Sequence, residues 1–599
     1  MPQEDQFRNL VDLCQRSCAR FADNPLFGSR GPGGQWSFTT YGQFAVLVDH
    51  ARAGLASLGV GAGDQVAVIA NNRLEWAVGA YATYSLGACY VPMYEKQNLA
   101  DWEYIVGDSG AKVLIVANEE IRQKTLPLLD RLPSLSSIVC LDADVSVDDS
   151  WAALMVRGEA APVPAADPAL SDLAGYIYTS GTTGKPKGVM LTHGNFTSNV
   201  NSVQRLFPME EGDRSLSFLP WAHSFGQTCE MHCGISFGIS MAICDDVDRL
   251  IEYLAEVRPS LLFSVPRIFN RIYDGLQKKL ADAPPMRRKL FALAMDNASL
   301  RRQLAEKGRT SMRVEIKHAL FDRLVFSKVR ERLGGQLRCA FSGGAAISRE
   351  VAEFIDNLGV LVFEGYGLSE TSPIATMNYP DHRRIGSVGL PIPGVEVLID
   401  TDAVAGGEPH EGEILIRGPN VMLGYHNLEQ ETAKVMTEDG AFRTGDIGWR
   451  DDEGYVYISG RIKEQYKLEN GKYVAPAPLE EQLKLSGMIS QVLVYGDNKP
   501  HNVAVIVPDV PALENWASRN GLDADLRELL DHPAVETLFR EELSRYSQDV
   551  FKGFERVKAF RLIVEEFTTD NEMLTPTLKL KRRNVIKQHQ GLLDAMYVS

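Results

Sequence analysis

The sequence predicts a large α/β domain of helix-covered sheets that carries a small β subdomain, followed by a smaller α+β domain. Three observations predict it. Helical and strand-like patterns alternate through the first 170 residues; short strands with glycine-rich turns take over from about residue 383; and the segment beyond about 465 has strands and amphipathic helices of its own. At 599 residues the chain is too long for one hydrophobic core, so about three to five packed units are expected.

The elements follow in order. "YGQFAVLVDHARAGLASLG" spaces apolar residues at helical intervals, "DQVAVIAN" is a short buried strand, "RLEWAVGAYATYSLGA" a helix, and "CYVPM" and "AKVLIVAN" two more strands. This is the rhythm of a parallel sheet covered by helices. Between 143 and 172 the chain is acidic and rich in Ala and Pro, which reads as an exposed connector. Four apolar runs closed by turn residues come next: "SLSFLP", "PSLLFSVP", "LRCAFSGGA" and "GVLVFEGYG". Their closing loops fall on one rim of a sheet, where α/β active sites assemble. Residues 267 to 336 read as helical throughout, an inserted or covering layer. "GEILIRGPNVMLGY" and "DEGYVYISGR" belong to the β subdomain, and "QVLVYGD" and "VAVIVPD" to the last domain, with a boundary near 460 to 465.

Composition narrows the class. With 45% apolar and 23% charged residues and a mean hydropathy of -0.14, disordered and collagen-like chains are excluded. The amino terminus carries charges where a signal peptide needs an apolar core, and nowhere do about 18 uncharged apolar residues run together, so the expected compartment is the cytoplasm. Eight cysteines scattered from 14 to 339 suit reduced, buried thiols better than a disulfide framework. A net charge of -16 argues against a nucleic-acid partner. One stretch departs from this balance: Lys278 to Arg338 holds sixteen Lys or Arg against six Asp or Glu, a local excess of ten positive charges. It reads either as solvated helix faces or as a dock for an anionic cofactor or a membrane surface.

Residues 178 to 188, "YTSGTTGKPKG", concentrate phosphate-binding chemistry. Thr179, Ser180, Thr182 and Thr183 bring hydroxyls, Gly181 and Gly184 make backbone amides approachable, and Lys185 and Lys187 bring cations. A kinase or ATPase loop of the form G-x-x-x-x-G-K-[ST] is excluded, because Thr179 stands where its first glycine belongs and Pro186 where its hydroxyl belongs. Pro186 also turns Lys185 away from helical backbone, so the loop does not wind directly into a helix. "CEMHC" at 229 to 233 offers Cys229, His232 and Cys233, but a zinc site pairs ligands from two separated knuckles.

With "WSFTTYGQF", "SLGACYVPMY", "FLPWAHSFGQ", "SGGA", "EGYGLSET", "RTGDIG", "GRIKEQYKLENGKYVAP" and "LTPTLKLKRR" in this order along the whole chain, the sequence resembles the adenylate-forming enzymes: acyl-CoA synthetases, luciferase and peptide synthetase adenylation domains. The resemblance implies an ATP- and acyl-binding domain over 1–460, a hinge at 461–463 containing Lys463, and a mobile domain over 464–599. It implies that the loop 179–188 holds the β- and γ-phosphates and that Glu370, with the Thr179 hydroxyl, holds magnesium. Tyr366, followed by Gly367, would stack on adenine against a wall of Gly343, Gly344 and Ala345. Ser369, where the family usually has Thr, would keep a phosphate contact. Asp446 would accept from the ribose hydroxyls with Arg461 beside it, and His223 would line the acyl pocket. In "LKLKRR" the lysine that bridges α-phosphate and carboxylate falls on Lys579, with Lys581 a rival because Leu578 replaces the usual glycine. Gly471 would line the path of the coenzyme A thiol.

The chemistry implied is attack of a carboxylate on the α-phosphate of ATP, then displacement of AMP by a thiol. Relatives that activate amino acids place an Asp near "LPWAHSFGQ"; Phe218 to Cys229 contains no acid, so an apolar carboxylate is implied. "ENGKYVAP", "LTPTLKLKRR" and "VPRIFNRIYDGL" resemble the long-chain branch, whose co-substrates are ATP and coenzyme A. Transfer of the acyl group to a carrier-protein pantetheine is the alternative. Peripheral contact with the inner membrane face is compatible with either.

Overall fold

A computed structural model describes residues 6–179, 185–404, 408–522, 525–575 and 579–598. Two sheets make the body of the large domain. The first runs, strand beside strand, Gly424–Tyr425, Lys187–Thr192, Leu173–Thr179, Cys89–Met93, Gln65–Ile69, Val113–Val116 and Ser137–Cys140. Its pairings from Leu173–Thr179 to Ser137–Cys140 are parallel, and Cys89–Met93 is buried at every position, as expected of a strand covered on both faces. The second has nine strands and places Arg214–Ser217, Leu261–Ser264, Cys339–Ser342 and Leu361–Gly367 side by side in parallel. These are the four apolar runs of the sequence, and their carboxyl ends share one rim.

The connector expected from 143 to 172 is only partly one. Trp151–Ala160 is a helix, capped by the Ser150 hydroxyl accepting from the Ala153 amide at 3.1 Å. It packs on the helix Tyr41–Ser57 at backbone distance: a Cβ on Gly158 would stand 1.8 Å from the His50 carbonyl oxygen, and one on Gly54 2.4 Å from a Leu154 methyl. Glycine at 54 and 158 is what lets the two helices approach. Residues 161–172 are irregular.

Residues 266–331 are helical apart from short turns, as expected. The β subdomain is the sheet Glu396–Asp400, Gly412–Arg417, Phe442–Arg450, Val456–Arg461. The smaller domain is built on Ile489–Tyr495, Asn502–Pro508 and Val557–Leu562, with helices on both faces. Ion pairs joining it to the large domain are exposed, Arg519 to Asp282 at 3.1 Å and Lys552 to Glu408 at 2.9 Å, and such pairs hold weakly. All eight cysteines are buried and unpaired. Among the described residues no helix is long and apolar enough to cross a membrane.

Candidate active site

The run 178–188 is flanked by two paired strands. Leu173–Thr179 and Lys187–Thr192 pair antiparallel, with Thr179 opposite Lys187, so the loop hangs between two strands of the first sheet and opens no helix. Ser180, Gly181, Thr182, Thr183 and Gly184 lie outside the described residues. The two lysines flank them differently. The Lys185 ammonium lies 4.7 Å from the centre of the Tyr104 ring, whereas Lys187 donates to Glu431 at 2.7 Å and sits 4.9 Å over the Tyr425 ring.

Tyr425 is a residue the motifs did not mark. The short strand Gly424–Tyr425 pairs with Lys187–Thr192 on the outer edge of the first sheet, and the Tyr425 hydroxyl donates to Glu370 Oε1 at 2.8 Å. Glu370 lies in the turn Ser369–Thr371, whose main chain also receives the Met422 amide on the Glu370 carbonyl at 2.9 Å. The Glu370 carboxylate and the strand Lys187–Thr192 are thereby joined at one sheet edge. Ser369 is buried, with its hydroxyl 3.2 Å from that of Ser224.

A second constellation forms where the β subdomain meets the strand Leu361–Gly367. Asp446 stands opposite Arg461 in the antiparallel register of their strands. Its two oxygens are engaged, one by Arg461 Nε at 2.6 Å and the other by the Tyr366 hydroxyl at 2.7 Å. A carboxylate has about four lone-pair positions, so acceptor capacity remains. Gly367 admits no side chain, since a Cβ there would fall 1.6 Å from the Pro373 carbonyl oxygen. Gly343 packs under Phe225, whose ring would lie 3.2 Å from an added Cβ. Gly344 has φ +82, which favours glycine, and Ala345 beside it is exposed.

His223 begins the approach to a π-helical turn over Phe225–His232; such turns concentrate at functional sites. Its Nδ1 accepts from the Phe225 amide at 3.2 Å. Burial, and then the charge of Lys579, lower its pKa to about 4, so the ring is neutral near pH 7. The Lys579 influence locates that lysine: the tail lysine from the smaller domain reaches the rim of the large one. Lys579 is exposed as a residue, yet protein crowding its ammonium lowers its pKa; Arg461 adds to the effect, while Asp446 and Glu370 oppose it. Lys579, His223, Arg461, Asp446 and Glu370 thus share one electrostatic environment. The rival Lys581 lies elsewhere, close enough to Asp101 to lower that carboxyl against the effect of burial.

Lys579 is held by a narrow hairpin. Its amide donates to the Thr575 hydroxyl at 3.0 Å, its carbonyl accepts from the Thr575 amide at 2.8 Å, and the Lys581 amide donates to Met573 at 2.8 Å. Arg582 anchors the hairpin by a bidentate pair with Glu480 at 2.8 and 2.6 Å and a bond to the Val494 carbonyl at 3.0 Å. Lys463 lies in the exposed turn that follows Arg461. Gly471 has φ +83 in the turn between Tyr466–Lys467 and Tyr473–Val474, so the backbone alone accounts for glycine there.

The acid nearest the acyl segment is Glu230, one residue beyond the stretch read as acid-free. Its oxygens are spent on the strand Arg214–Ser217, accepting from the Ser215 and Ser217 hydroxyls at 2.8 Å each. Burial without a cation raises its pKa to about 7. Above that value the native state must carry a buried charge or release it by unfolding, so this carboxyl's contribution to stability is lost as pH rises through 7. Glu230→Gln should match the parent only below the ordinary carboxyl value of 4.5 and gain about 2–3 kcal/mol above pH 7, read by urea denaturation on both sides of that window. A gain independent of pH would count against the raised pKa. Of "CEMHC", His232 spends Nδ1 on the Tyr81 hydroxyl at 2.7 Å, and among the described residues no three His, Cys, Asp or Glu are grouped to hold a metal.

Comparison with known proteins places this geometry. The family described as AMP-binding enzyme matches residues 14–426, and its C-terminal domain matches 463–599. The chain is 34% identical over 580 residues to long-chain-fatty-acid–CoA ligase FadD15 of Mycobacterium bovis, covering 94% of this chain and 93% of that one. It is 31% identical to the peroxisomal long chain acyl-CoA synthetase 6 of Arabidopsis thaliana, covering 100% and 87%. The adenylation domain of a carboxylate reductase from Mycobacterium chelonae superposes with a TM-score of 0.79 at 22% identity, over 99% of this chain and 91% of that one, which bears on fold alone. A hairpin loop bearing hydroxyls and lysines, the Tyr366–Asp446–Arg461 group and a lysine delivered from a second domain occur here in a chain that belongs to the AMP-binding enzyme family.

Proposed function

We propose that the protein joins a long-chain fatty acid to coenzyme A in two steps, forming acyl-AMP and pyrophosphate from ATP and then the acyl thioester. The observation that carries this reading is the position of Lys579, a cation from the smaller domain within electrostatic reach of Asp446, Glu370 and His223 on the large one. A carboxylate oxygen is a poor leaving group near neutral pH, and AMP a good one. The first step asks the protein to align two anions and balance charge as it moves from the α-phosphate to pyrophosphate.

In this reading Asp446 receives the ribose hydroxyls beside Arg461, and the Tyr366 ring, with Gly367 behind it, faces adenine across Gly343, Gly344 and Ala345. Residues 179–188, with Lys185 and Lys187, hold the β- and γ-phosphates, and Ser369 keeps a phosphate contact. Lys579 spans the α-phosphate and the fatty carboxylate. His223, neutral by burial, lines the acyl entrance without repelling Lys579. Glu370 and Thr179 fit a magnesium ion: Tyr425 occupies only one Glu370 oxygen, and magnesium takes one or two protein oxygens together with phosphates and water. The ion would neutralise phosphate charge when bound. We assign 1–460 to ATP and acid, 461–463 to a hinge at Lys463, and 464–599 to a domain that turns between steps, with Gly471 then lining the thiol's path. Phe218 to Cys229 contains no acid and the Glu230 carboxyl is engaged by Ser215 and Ser217, which favours an apolar chain. A cytoplasmic enzyme meeting its water-insoluble substrate at a membrane face fits this chemistry.

Purified protein given palmitate, ATP and coenzyme A should yield palmitoyl-CoA, AMP and pyrophosphate. Accumulation of acyl-AMP without thioester would move the acceptor to a carrier-protein pantetheine, and label passing from γ-phosphate to an acceptor would end the reading.

A further inference from the structure

The helical layer Pro266–Glu331 carries a surface that the ligase reaction does not use. In the helix Met312–Phe321 and the turn after it, Met312, Ile316, Leu320 and Leu324 recur every fourth residue and are 80%, 66%, 56% and 43% exposed. This spacing puts them on one face. Arg313 and Lys317, each one position after Met312 and Ile316, and Arg323, three after Leu320, border that face, are exposed, and form no ion pair among the described residues. The opposite face, with Val314 and Phe326, is buried. The neighbouring helix Pro285–Glu306 exposes Met286, Leu293 and Leu300 at every seventh position, near one line along its length. Arg301 Nε donates to both oxygens of Glu315 at 3.0 Å and links the two helices.

Exposed apolar residues of this size, alternating with unpaired cations on a rigid helix, are uncommon on a free surface. They match the pattern of helices that lie in a bilayer interface, with apolar side chains among the acyl tails and Lys or Arg at anionic headgroups. Charge decides the occupant. The stretch 278–338 has an excess of ten positive charges on a chain of net -16, and a second copy docked symmetrically would set that positive face against itself.

We infer that the helix pair Pro285–Glu306 and Met312–Phe321 docks the protein on an anionic lipid bilayer. The inference rests on the reading that the substrate is a long-chain fatty acid, which partitions into bilayers, and it names the surface that meets them.

Full-length protein mixed with vesicles of phosphatidylcholine, or of phosphatidylcholine with phosphatidylglycerol, should sediment with the second kind and little with the first. Each cation at an anionic surface raises partition about fivefold, so R313Q/K317Q should bind roughly 25-fold more weakly, with raised salt weakening the parent in the same direction. I316S/L320S should also lose binding, because it removes the inserted side chains. Unchanged melting temperatures show that the variants fold. The inference is overturned if the parent stays in solution with anionic vesicles, if both double variants bind like the parent, or if sedimentation velocity shows a parent dimer that they dissolve. Binding is read without turnover, and turnover is measured separately on detergent-dispersed acid, so the docking and ligase readings fail independently.

Discussion

Lys579→Ala should lower acyl-adenylate formation by about 10²–10³-fold, the usual loss when one preorganised group that stabilises transition-state charge is removed. Thioester formation from supplied acyl-AMP should change little, because in the proposed mechanism the lysine serves only the first step. ATP–pyrophosphate exchange reads the first step, and appearance of acyl-CoA from synthetic acyl-AMP reads the second. Lys581→Ala is the internal control. Its charge lowers the Asp101 carboxyl and its amide is bound to Met573, so exchange should stay within a few-fold of the parent. Equal losses in the two variants, or loss of both steps with Lys579→Ala, would remove Lys579 from the role assigned to it.

Arg582→Ala should be the most destabilising single change in the smaller domain. Arg582 and Glu480 are both largely buried, and truncating one partner leaves the other as an uncompensated charge, at a cost of about 3–5 kcal/mol. Glu480 would keep only the Val494 amide at 2.6 Å. The hairpin that presents Lys579 loses its anchor at the same time, so adenylation should fall before the protein unfolds. Replacing the pair by Met and Gln should be milder than either truncation, since no buried charge remains. Urea denaturation of the four proteins, with ATP–pyrophosphate exchange on each, checks both statements. An Arg582→Ala protein as stable as its parent would show the pair to be dispensable.

Much of this architecture could be read from local pattern. The strands Cys89–Met93, Leu261–Ser264 and Cys339–Ser342 lie where the apolar runs and their closing turns put them, because a buried parallel strand is marked by continuous hydrophobicity. The helix Trp151–Ala160 escaped, because Ala and Gly weaken the amphipathic signal while permitting close packing. At the site, Glu370, Asp446, Arg461, His223 and Lys579 were marked by short motifs and lie within one electrostatic environment. Tyr425 and Glu480 were not marked. Each acts through side-chain contacts with residues far away in sequence, and no local spacing encodes such partners. Glu230 was missed because its role depends on which way it turns, which the strand Arg214–Ser217 decides.

The basic helical layer has a consequence for the molecule as a whole. A chain total of -16 with +10 on residues 278–338 leaves -26 on the remainder, so the helical layer is a basic segment in an acidic chain. In the field of an anionic surface such a body feels a torque as well as a net force: its bulk is repelled while one layer is drawn in. In the docking inferred above, approach and orientation become a single event, with the helical layer foremost.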